Sequence, residues 1–324
     1  MRLLFLGSPS AAVPFLEACL GSGHEVVAVV TQPDRPAGRG LALRAPAVKE
    51  AALAAGLRVL QPERPSAAAA ELAALGADLA VVVAYGRILR PDVLAATRHG
   101  FMNVHFSLLP RSRGAAPVQW TLLRGEREAG VTLFWLDEGM DTGPVQRMAS
   151  CPVAPEDDAA SLMAKLTALG VRELGAALAD VAAGRVVRTP QSGEPTAAPK
   201  LTADLARIGF EMTAREIQDR VRGLALGPAA WFEAAAGPKT VRVKLTRAAL
   251  AGEGGAGAPG VLVAVEPDGS VLIQCRVGVL RVREVQPEGK KKLPAADFIN
   301  GLRLKAGQRL WRGPGGAPDP SMHG

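Results

Sequence analysis

Short apolar runs alternate with longer amphipathic stretches along the first half of the chain. The apolar runs span four to six residues and are rich in Val, Leu and Ala, which is typical of strands buried on both faces. They predict strands at Arg2–Gly7, Val26–Thr31, Leu57–Leu60, Leu79–Ala84 and Val131–Leu136. The stretches between them predict helices at Ala11–Ser22, Ala45–Ala55, Ala67–Leu75 and Pro117–Leu123. Because strands and helices alternate, we expect an α/β fold with a Rossmann-like, mostly parallel sheet.

The pattern changes after a long helical stretch at Ala159–Ala183. Residues 189–199 are polar and contain three prolines, which is typical of a linker. Beyond them we predict one short helix at Ala214–Gly223. Short strands at near-regular spacing then favour a small antiparallel barrel; they lie at Thr240–Leu245, Gly260–Val265, Ser270–Gln274 and Val279–Val285.

These patterns divide the chain into four parts. We expect a first domain over residues 1–188 and a linker over 189–204. The barrel domain then covers 205–312, and the Pro/Gly-rich residues 313–324 form a flexible tail.

The positive charge is concentrated in the predicted barrel. Residues 205–312 carry 18 Lys and Arg against 10 Asp and Glu, which accounts for the net charge of +7 because the rest of the chain is close to neutral. A neutral body with a basic domain suits an enzyme whose substrate is attached to a polyanion such as a nucleic acid.

Two classes of protein are disfavoured by composition. No apolar stretch reaches the roughly 18–20 residues that a membrane helix needs, so we expect a cytoplasmic protein without a membrane partner. The three cysteines and four histidines show no metal-ligand spacing, so no metal is expected.

The candidate chemistry begins with an Asn and a His at the end of a further apolar run. Side chains alternate along a strand, so Asn103 and His105 project from one face. The Pro- and Gly-containing residues 107–117 predict a turn that covers this face. The Gly-spaced turn after Val131–Leu136 can bring Asp141 back toward the pair. An amide donor, an imidazole and a carboxylate suit acyl transfer, in which an oxyanion is stabilised and a proton is moved.

The same residues carry a resemblance to a known family. The string NVHFSLLPRSRGAAPVQW at residues 103–120, followed by DEGMDTG at 137–143, resembles the formyltransferases that use 10-formyltetrahydrofolate. The segments TQPDRPAGRG at 31–40 and VVAYG at 82–86 narrow the resemblance to the methionyl-tRNA branch of that family. The resemblance extends from Met1 to about Trp311.

The resemblance implies an enzyme of translation initiation. It would transfer a formyl group from 10-formyltetrahydrofolate to the α-amino group of methionine on initiator Met-tRNA. The first domain would be the catalytic domain, and the barrel would be OB-like and bind tRNA. The implied catalytic residues are Asn103, His105 and Asp141.

Two segments are candidates for binding the folate. The resemblance implies that the turn Ser107, Leu108, Leu109 and Pro110 contacts it. A pterin also needs an apolar slot with free backbone groups, and the end of the fourth predicted strand offers Val83, Tyr85, Gly86 and Ile88.

Two groups of basic residues are candidates for tRNA contacts. The resemblance implies that the insertion loop Pro33–Arg44 reaches the acceptor end, with Arg35, Arg39 and Arg44 as its contacts. On the barrel, charge alone selects Arg242, Lys244, Arg247, Lys290, Lys291 and Lys292. A solvated charged face explains half of these six equally well. The chain departs from residues common in the family at Leu41-Ala42, Phe106 and Gly209. Separately, we expect the protein to be a monomer.

Other functions remain open from the residues alone. The same chemistry could act on an amino-sugar nucleotide or on glycinamide ribonucleotide. A small acceptor of this kind, however, needs neither the insertion loop Pro33–Arg44 nor the basic barrel. A non-catalytic RNA-binding protein predicts that Asn103 and Asp141 can be replaced without loss of function. A dehydrogenase is disfavoured because the first turn, residues 7–10, lacks the G-x-G-x-x-G fingerprint.

Overall fold

The computed structural model describes residues 1–37, 42–236, 239–252, 257–311 and 313. Contacts group the chain into two compact units. The first comprises Met1–Pro117, Glu128–Val153 and Leu162–Pro199. The second comprises Val118–Arg127, Ala154–Ser161 and the chain from Lys200 onward. The first unit thus includes residues 189–199, the Pro-punctuated part of the predicted linker.

The first half of the chain is built from alternating strands and helices. Up to residue 182 the elements are β1 (Arg2–Gly7), α1 (Val13–Leu20), β2 (Glu25–Val30), β3 (Arg35–Ala37), β4 (Ala42–Arg44), α2 (Ala47–Ala54), β5 (Val59–Leu60), α3 (Ala69–Ala74), β6 (Leu79–Val83), α4 (Pro91–Leu94), β7 (Phe101–His105), α5 (Pro117–Leu123), β8 (Glu128–Trp135), β9 (Val145–Pro152) and α6 (Ala159–Ala182).

The main sheet of the first unit has the order β5-β2-β1-β6-β7-β8-β9. The pairs from β5 to β7 are parallel, whereas β7–β8 and β8–β9 are antiparallel. The prediction of a Rossmann-like, mostly parallel sheet is therefore confirmed. The apolar-run criterion misses β9, because this edge strand alternates half-buried and exposed side chains and includes Gln146 and Arg147.

Burial explains why the inner strands are continuous apolar runs. Every residue of β6 is buried, and Leu4 and Leu6 of β1 have no exposed surface. They pack with Leu72 of α3 and Val30 of β2 in one apolar cluster. Burying each such side chain stabilises the fold by about 1.5–3 kcal/mol, so the ends of β6 and β7 form a rigid support for the residues that follow them.

The second unit contains a separate antiparallel sheet. Its elements after residue 200 are α7 (Ala214–Gly223), β10 (Trp231–Ala236), β11 (Lys239–Gly252), β12 (Leu262–Val265), β13 (Val271–Gln274), β14 (Val279–Pro287), β15 (Leu293–Pro294) and α8 (Ala295–Gly301). The strand order is β10-β11-β14-β13-β12, and β15 pairs with β14.

The segment 308–310 joins the two edges of this sheet. The Leu262 N–H on β12 donates to the Gln308 carbonyl, and the Leu310 N–H donates to the Gly260 carbonyl, each at 2.8 Å. The Ala235 N–H on β10 donates to the Leu310 carbonyl at 2.8 Å. The backbone therefore closes the sheet, and the prediction of a small antiparallel barrel is confirmed.

Some bounds in the second unit differ from the sequence prediction. β11 runs seven residues beyond the expected end at Leu245, and β10 and α8 are not predicted at all. β10 escapes detection because three of its six residues are Ala, which has low strand propensity. The helix α7 is predicted with the observed bounds, and a capping box between Thr213 and Glu216 fixes its start.

Candidate active site

Asn103 and His105 line a cavity of about 560 Å³ in the first unit. They stand two residues apart on β7, so both side chains lie on the same face of the strand. Residues 84–89 after β6 and 136–141 after β8 form most of the remaining lining. Sites for small organic ligands usually have about 300–1,000 Å³, so the cavity has the size of a ligand site.

The side-chain amide of Asn103 has no hydrogen-bond partner in the part of the chain that the structure describes. Asn103 is half-buried, so its amide is held at the cavity wall while still accessible from the cavity. Its N–H groups are therefore available to an acceptor on a bound molecule.

His105 is held in a defined protonation pattern. Its Nε2 lies 2.9 Å from the Ser112 carbonyl oxygen. A carbonyl only accepts, so Nε2 must carry the proton and donate it. The ring also packs edge-on against Phe134, with 6.3 Å between ring centres. The nitrogen that can change its protonation is consequently Nδ1.

Asp141 faces this nitrogen. Its Oδ2 lies 3.8 Å from Nδ1 of His105 and accepts a hydrogen bond from the Gly114 N–H at 2.8 Å. The two side chains are 15% and 7% exposed, so solvent screens their interaction only weakly. Asp141 adopts a left-handed backbone conformation, with φ of +55°, which a non-glycine residue rarely takes. Observed strain of this kind is concentrated at functional sites.

The Gly114 donor is fixed by the chain segment 196–198. Gly114 has φ of +124°, and a Cβ atom there would lie 2.7 Å from the Ala198 carbonyl oxygen. Thr196 accepts from the Ser112 N–H at 2.9 Å through its Oγ1, and from the Arg113 N–H at 2.8 Å through its carbonyl oxygen. Only glycine fits at position 114, because the backbone of the later segment passes directly beside it.

The segment after β6 forms an apolar wall of the cavity. Ala84 and Gly86 have φ of +48° and +75°, and the Gln32 amide donates to the Tyr85 carbonyl oxygen at 2.8 Å. Ile88 on this segment and Met140 after β8 both line the cavity and expose 78% and 65% of their surface. Both side chains are therefore accessible to an apolar ligand in the cavity.

Tyr85 lines the cavity but is almost fully buried. Burial raises the pKa of its hydroxyl, and the nearby Arg87 lowers it by a smaller amount. That hydroxyl is buried without a hydrogen-bond partner among the described residues. The phenol therefore stays protonated at neutral pH.

The other predicted folate contacts are placed differently. Neither Val83 nor the turn Ser107, Leu108, Leu109 and Pro110 lines the cavity. Val83 is fully buried in the sheet. The turn packs against β8: Thr132 Oγ1 donates to the Ser107 carbonyl at 2.6 Å and accepts from the Leu109 N–H at 3.1 Å. The contacts of these residues are with the protein, and a direct contact with the folate stays a prediction.

The insertion loop contains a short hairpin with two of the three predicted arginines. Arg35 on β3 and Arg44 on β4 are paired across the hairpin, and both are exposed. Arg35 lies 3.9 Å from the Glu63 carboxylate. Arg39 lies outside the described residues, as does Leu41.

The predicted basic residues of the barrel lie on β11 and in the turn before β15. Arg242 and Lys244 are exposed on β11, and the guanidinium of Arg242 stacks on Trp231, 4.0 Å from the ring centre. Arg247 stands opposite Glu284 in the register of β11 and β14, and the Glu284 carboxylate lies 3.3 Å from Nζ of Lys292. Lys290 and Lys291 are exposed in the turn before β15.

Several residues at these sites are missed by sequence reasoning. Gln191 and Thr196 lie in the segment predicted as a linker, and nothing in its composition marks their contacts. Trp231 and Arg207 join Arg242 in a stack, with Arg207 5.7 Å from the ring centre. An aromatic residue interleaved with basic ones is a signal of nucleic-acid binding that could have identified Trp231.

Among the described residues, no helix is long and apolar enough to cross a membrane. Within the same residues, no three His, Cys, Asp or Glu side chains come together as a set that could hold a metal ion.

Comparisons with known proteins agree with this geometry. Residues 1–178 match the family described as Formyl transferase, and residues 200–303 match the family described as Formyl transferase, C-terminal domain. The chain is 44% identical over 311 residues to the methionyl-tRNA formyltransferase of Myxococcus xanthus, covering 95% of this chain and 97% of that one. It is 45% identical to the same enzyme of Sorangium cellulosum, covering 96% of this chain and all of that one.

A solved structure supports the fold alone. HypX from Aquifex aeolicus, in complex with tetrahydrofolic acid, superposes with a TM-score of 0.64 at 23% identity, over 94% of this chain and 48% of that one. Because both family matches and the long alignments at 44–45% identity span nearly the whole sequence, this chain belongs to the methionyl-tRNA formyltransferase family.

Proposed function

We propose that this chain transfers the formyl group of 10-formyltetrahydrofolate to the α-amino group of methionine on initiator Met-tRNA. The observation that carries the proposal is the convergence of Asn103, His105 and Asp141 on one cavity, in a chain that belongs to this family over nearly its full length. The products are formyl-methionyl-tRNA, for the initiation of translation, and tetrahydrofolate.

The cavity in the first unit fits the folate. Its apolar lining, which includes the exposed side chains of Ile88 and Met140, suits the flat ring of a pterin. The left-handed residues Ala84 and Gly86 turn the backbone there, and free backbone groups of this kind can read a polar ring edge. The bound donor supplies the formyl group, and the protein supplies orientation and electrostatics.

Asn103 and His105 stabilise the charge that develops on the formyl oxygen. Asn103 has free amide N–H groups at the cavity wall. Because Nε2 of His105 is committed to Ser112, only its Nδ1 can donate, and it does so when the ring is protonated. One well-placed donor is worth roughly 3–4 kcal/mol in such a reaction.

Asp141 moves the proton. A bond forms between the α-nitrogen and the formyl carbon, the bond from that carbon to N10 of the folate breaks, and one proton passes from the α-nitrogen to N10. Free α-amines titrate at about 7.7–8, so an appreciable fraction is already neutral and needs no strong base. A group about 3 Å from both Asp141 Oδ2 and His105 Nδ1 can exchange a proton with either side chain.

The basic residues supply the contacts to tRNA. The exposed pair Arg35 and Arg44 stands on a hairpin that projects two cations side by side. On the barrel, Arg242 is held against Trp231 with its guanidinium available to a phosphate. The remaining basic candidates on the barrel are exposed and can add electrostatic attraction.

We further propose that the protein is a monomer in the cytoplasm, where charged initiator tRNA is found. Sedimentation of the purified protein measures its oligomeric state.

The proposal is tested with purified protein, charged initiator Met-tRNA and 10-formyltetrahydrofolate. Formyl-methionine is measured after hydrolysis of the ester bond, and we expect it with the wild type. Glycinamide ribonucleotide and an amino-sugar nucleotide serve as competing acceptors in parallel reactions. Formylation of either one, without any formyl-methionine, would contradict the acceptor assignment. A steep fall of tRNA affinity with salt is expected from several phosphate contacts.

A further inference from the structure

Gln191 makes three hydrogen bonds that join two loops of the first unit. It lies in the segment after α6 and does not line the cavity. Its Nε2 donates to the carbonyl oxygens of Asp141 and Gly143, each at 2.8 Å. Its Oε1 accepts from Nη2 of Arg113 at 2.7 Å. One amide therefore uses both of its N–H groups and its oxygen on residues distant in the sequence.

The two carbonyls that Gln191 contacts lie on either side of Thr142. They belong to the turn in which Asp141 takes its left-handed conformation. Gly143 is packed so closely against the Trp135 carbonyl that a Cβ atom would overlap it. The turn is thus fixed on one side by strand β8 and on the other by the Gln191 amide. Removing that amide frees the backbone of the residue that carries the carboxylate.

The third bond, from Arg113 to Gln191, reaches the loop whose Gly114 donates to the Asp141 carboxylate. Arg113 directly precedes Gly114, whose N–H donates to Asp141 Oδ2. The Nε of Arg113 is buried without a partner among the described residues, so Gln191 is the side chain seen to anchor this guanidinium. Gln191 accordingly holds the backbone of Asp141 at a fixed separation from Arg113, the residue next to Gly114, whose N–H donates to the Asp141 carboxylate.

We propose that Gln191 is a positioning residue that sets the place of the Asp141 carboxylate relative to Nδ1 of His105. This inference rests on the proposed function of Asp141. It assigns a role in catalysis to a segment that the sequence indicates to be a linker. Loss of the three bonds lets the turn relax, and a displacement of about 1 Å at a reacting group can lower the rate about 100-fold.

The test compares Gln191→Ala with Glu194→Ala, a change at an exposed side chain of the same segment. We expect kcat of Gln191→Ala to fall about 10- to 100-fold, while KM for both substrates and the Kd of tetrahydrofolate change less than about threefold. Glu194→Ala keeps wild-type kinetics. Gln191→Glu is the second variant, because an ionised Glu keeps the contact to Arg113 and loses both donors. It should show the same loss of kcat, and it provides the test if Gln191→Ala fails to fold.

A double-mutant cycle separates positioning from general loss of structure. If Gln191 acts through Asp141, then Gln191→Ala placed in an Asp141→Asn background lowers the single-turnover rate less than about threefold further. The inference is overturned if folded Gln191→Ala has kcat within about twofold of the wild type, if KM rises in step with the loss of kcat, or if the full loss recurs in the double variant. Failure of the wild type to formylate Met-tRNA would instead reject the proposed function itself.

Discussion

Replacing Asp141 by asparagine removes the proton acceptor of the proposed reaction and leaves the shape of the side chain almost unchanged. Oδ2 of Asp141 accepts from the Gly114 N–H at 2.8 Å and lies 3.8 Å from Nδ1 of His105. An asparagine that keeps the Gly114 bond must therefore place its oxygen at the Oδ2 position, and its NH₂ takes the place of Oδ1. The amide is neutral and cannot take up the proton that leaves the α-nitrogen. The variant thus tests the proton transfer and leaves the contact to Gly114 in place.

The magnitude follows from this loss. Proton transfer by a positioned side chain contributes about 10²–10⁴-fold, so we expect a fall of about 10³-fold in kcat for Asp141→Asn. This corresponds to about 4.1 kcal/mol. The apolar walls of the cavity are unchanged, so we expect the Kd of tetrahydrofolate to stay within about threefold.

The assay is a single-turnover measurement with enzyme in excess over labelled 10-formyltetrahydrofolate and with saturating Met-tRNA. Glu17→Gln, which makes the same chemical change at an exposed position of α1, is the control and should behave as wild type. A rate within about tenfold of the wild type would refute the assignment of Asp141 as the proton acceptor.

Three further predictions concern a donor, a backbone position and a helix cap. Asn103→Ala should lower kcat about 10²–10³-fold with the Kd of tetrahydrofolate unchanged; an unaltered single-turnover rate would remove Asn103 from the donors. Gly114→Ala should lower the free energy of unfolding by about 1–3 kcal/mol, because a Cβ there meets a backbone carbonyl at 2.7 Å. In urea titrations the loss should exceed that of Gly184→Ala, where φ is also positive but no atom lies within 4 Å. Thr213→Ala should cost about 1 kcal/mol. The Thr213 N–H, and more weakly the Thr213 hydroxyl, hold the pKa of Glu216 below its ordinary 4.5, so this carboxylate stabilises the fold above pH 4.5 and the contribution is lost as the pH falls through the lower folded pKa. Thr213→Ala keeps the N–H and removes the hydroxyl's bond to the carboxylate. Urea titrations of Thr213→Ala and the wild type should therefore differ less at pH 3 than at pH 7, and an equal difference at both pH values would contradict this.

The parts of the structure that depend on local pattern are readable from the sequence. The inner strands appear as apolar runs because both of their faces are buried. Asn103 and His105 can be placed on one face because side chains alternate along a strand. The glycines around Asp141 indicate a turn that can return the carboxylate to the pair. Local geometry was sufficient in these cases.

The rest depends on contacts between distant residues. The tautomer of His105 is fixed by the Ser112 carbonyl, and no sequence pattern shows which way that carbonyl points. The edge strand β9 is held by pairing with β8 and not by its own composition. Gln191 looks like a loop residue because its three partners are about 50 to 80 positions earlier in the chain.

Because the chain is synthesised from its N-terminus, segment 189–199 becomes available to the site later than the residues it contacts. Every residue that lines the cavity has been synthesised by position 141, but Gln191, which holds the backbone of Asp141, emerges about 50 residues later. A nascent polypeptide that already contains the complete seven-stranded sheet lacks these contacts until Gln191 and Thr196 appear. The hydrogen bonds that hold the Asp141 turn and the Gly114 loop are therefore complete only once residues 189–199 have been synthesised.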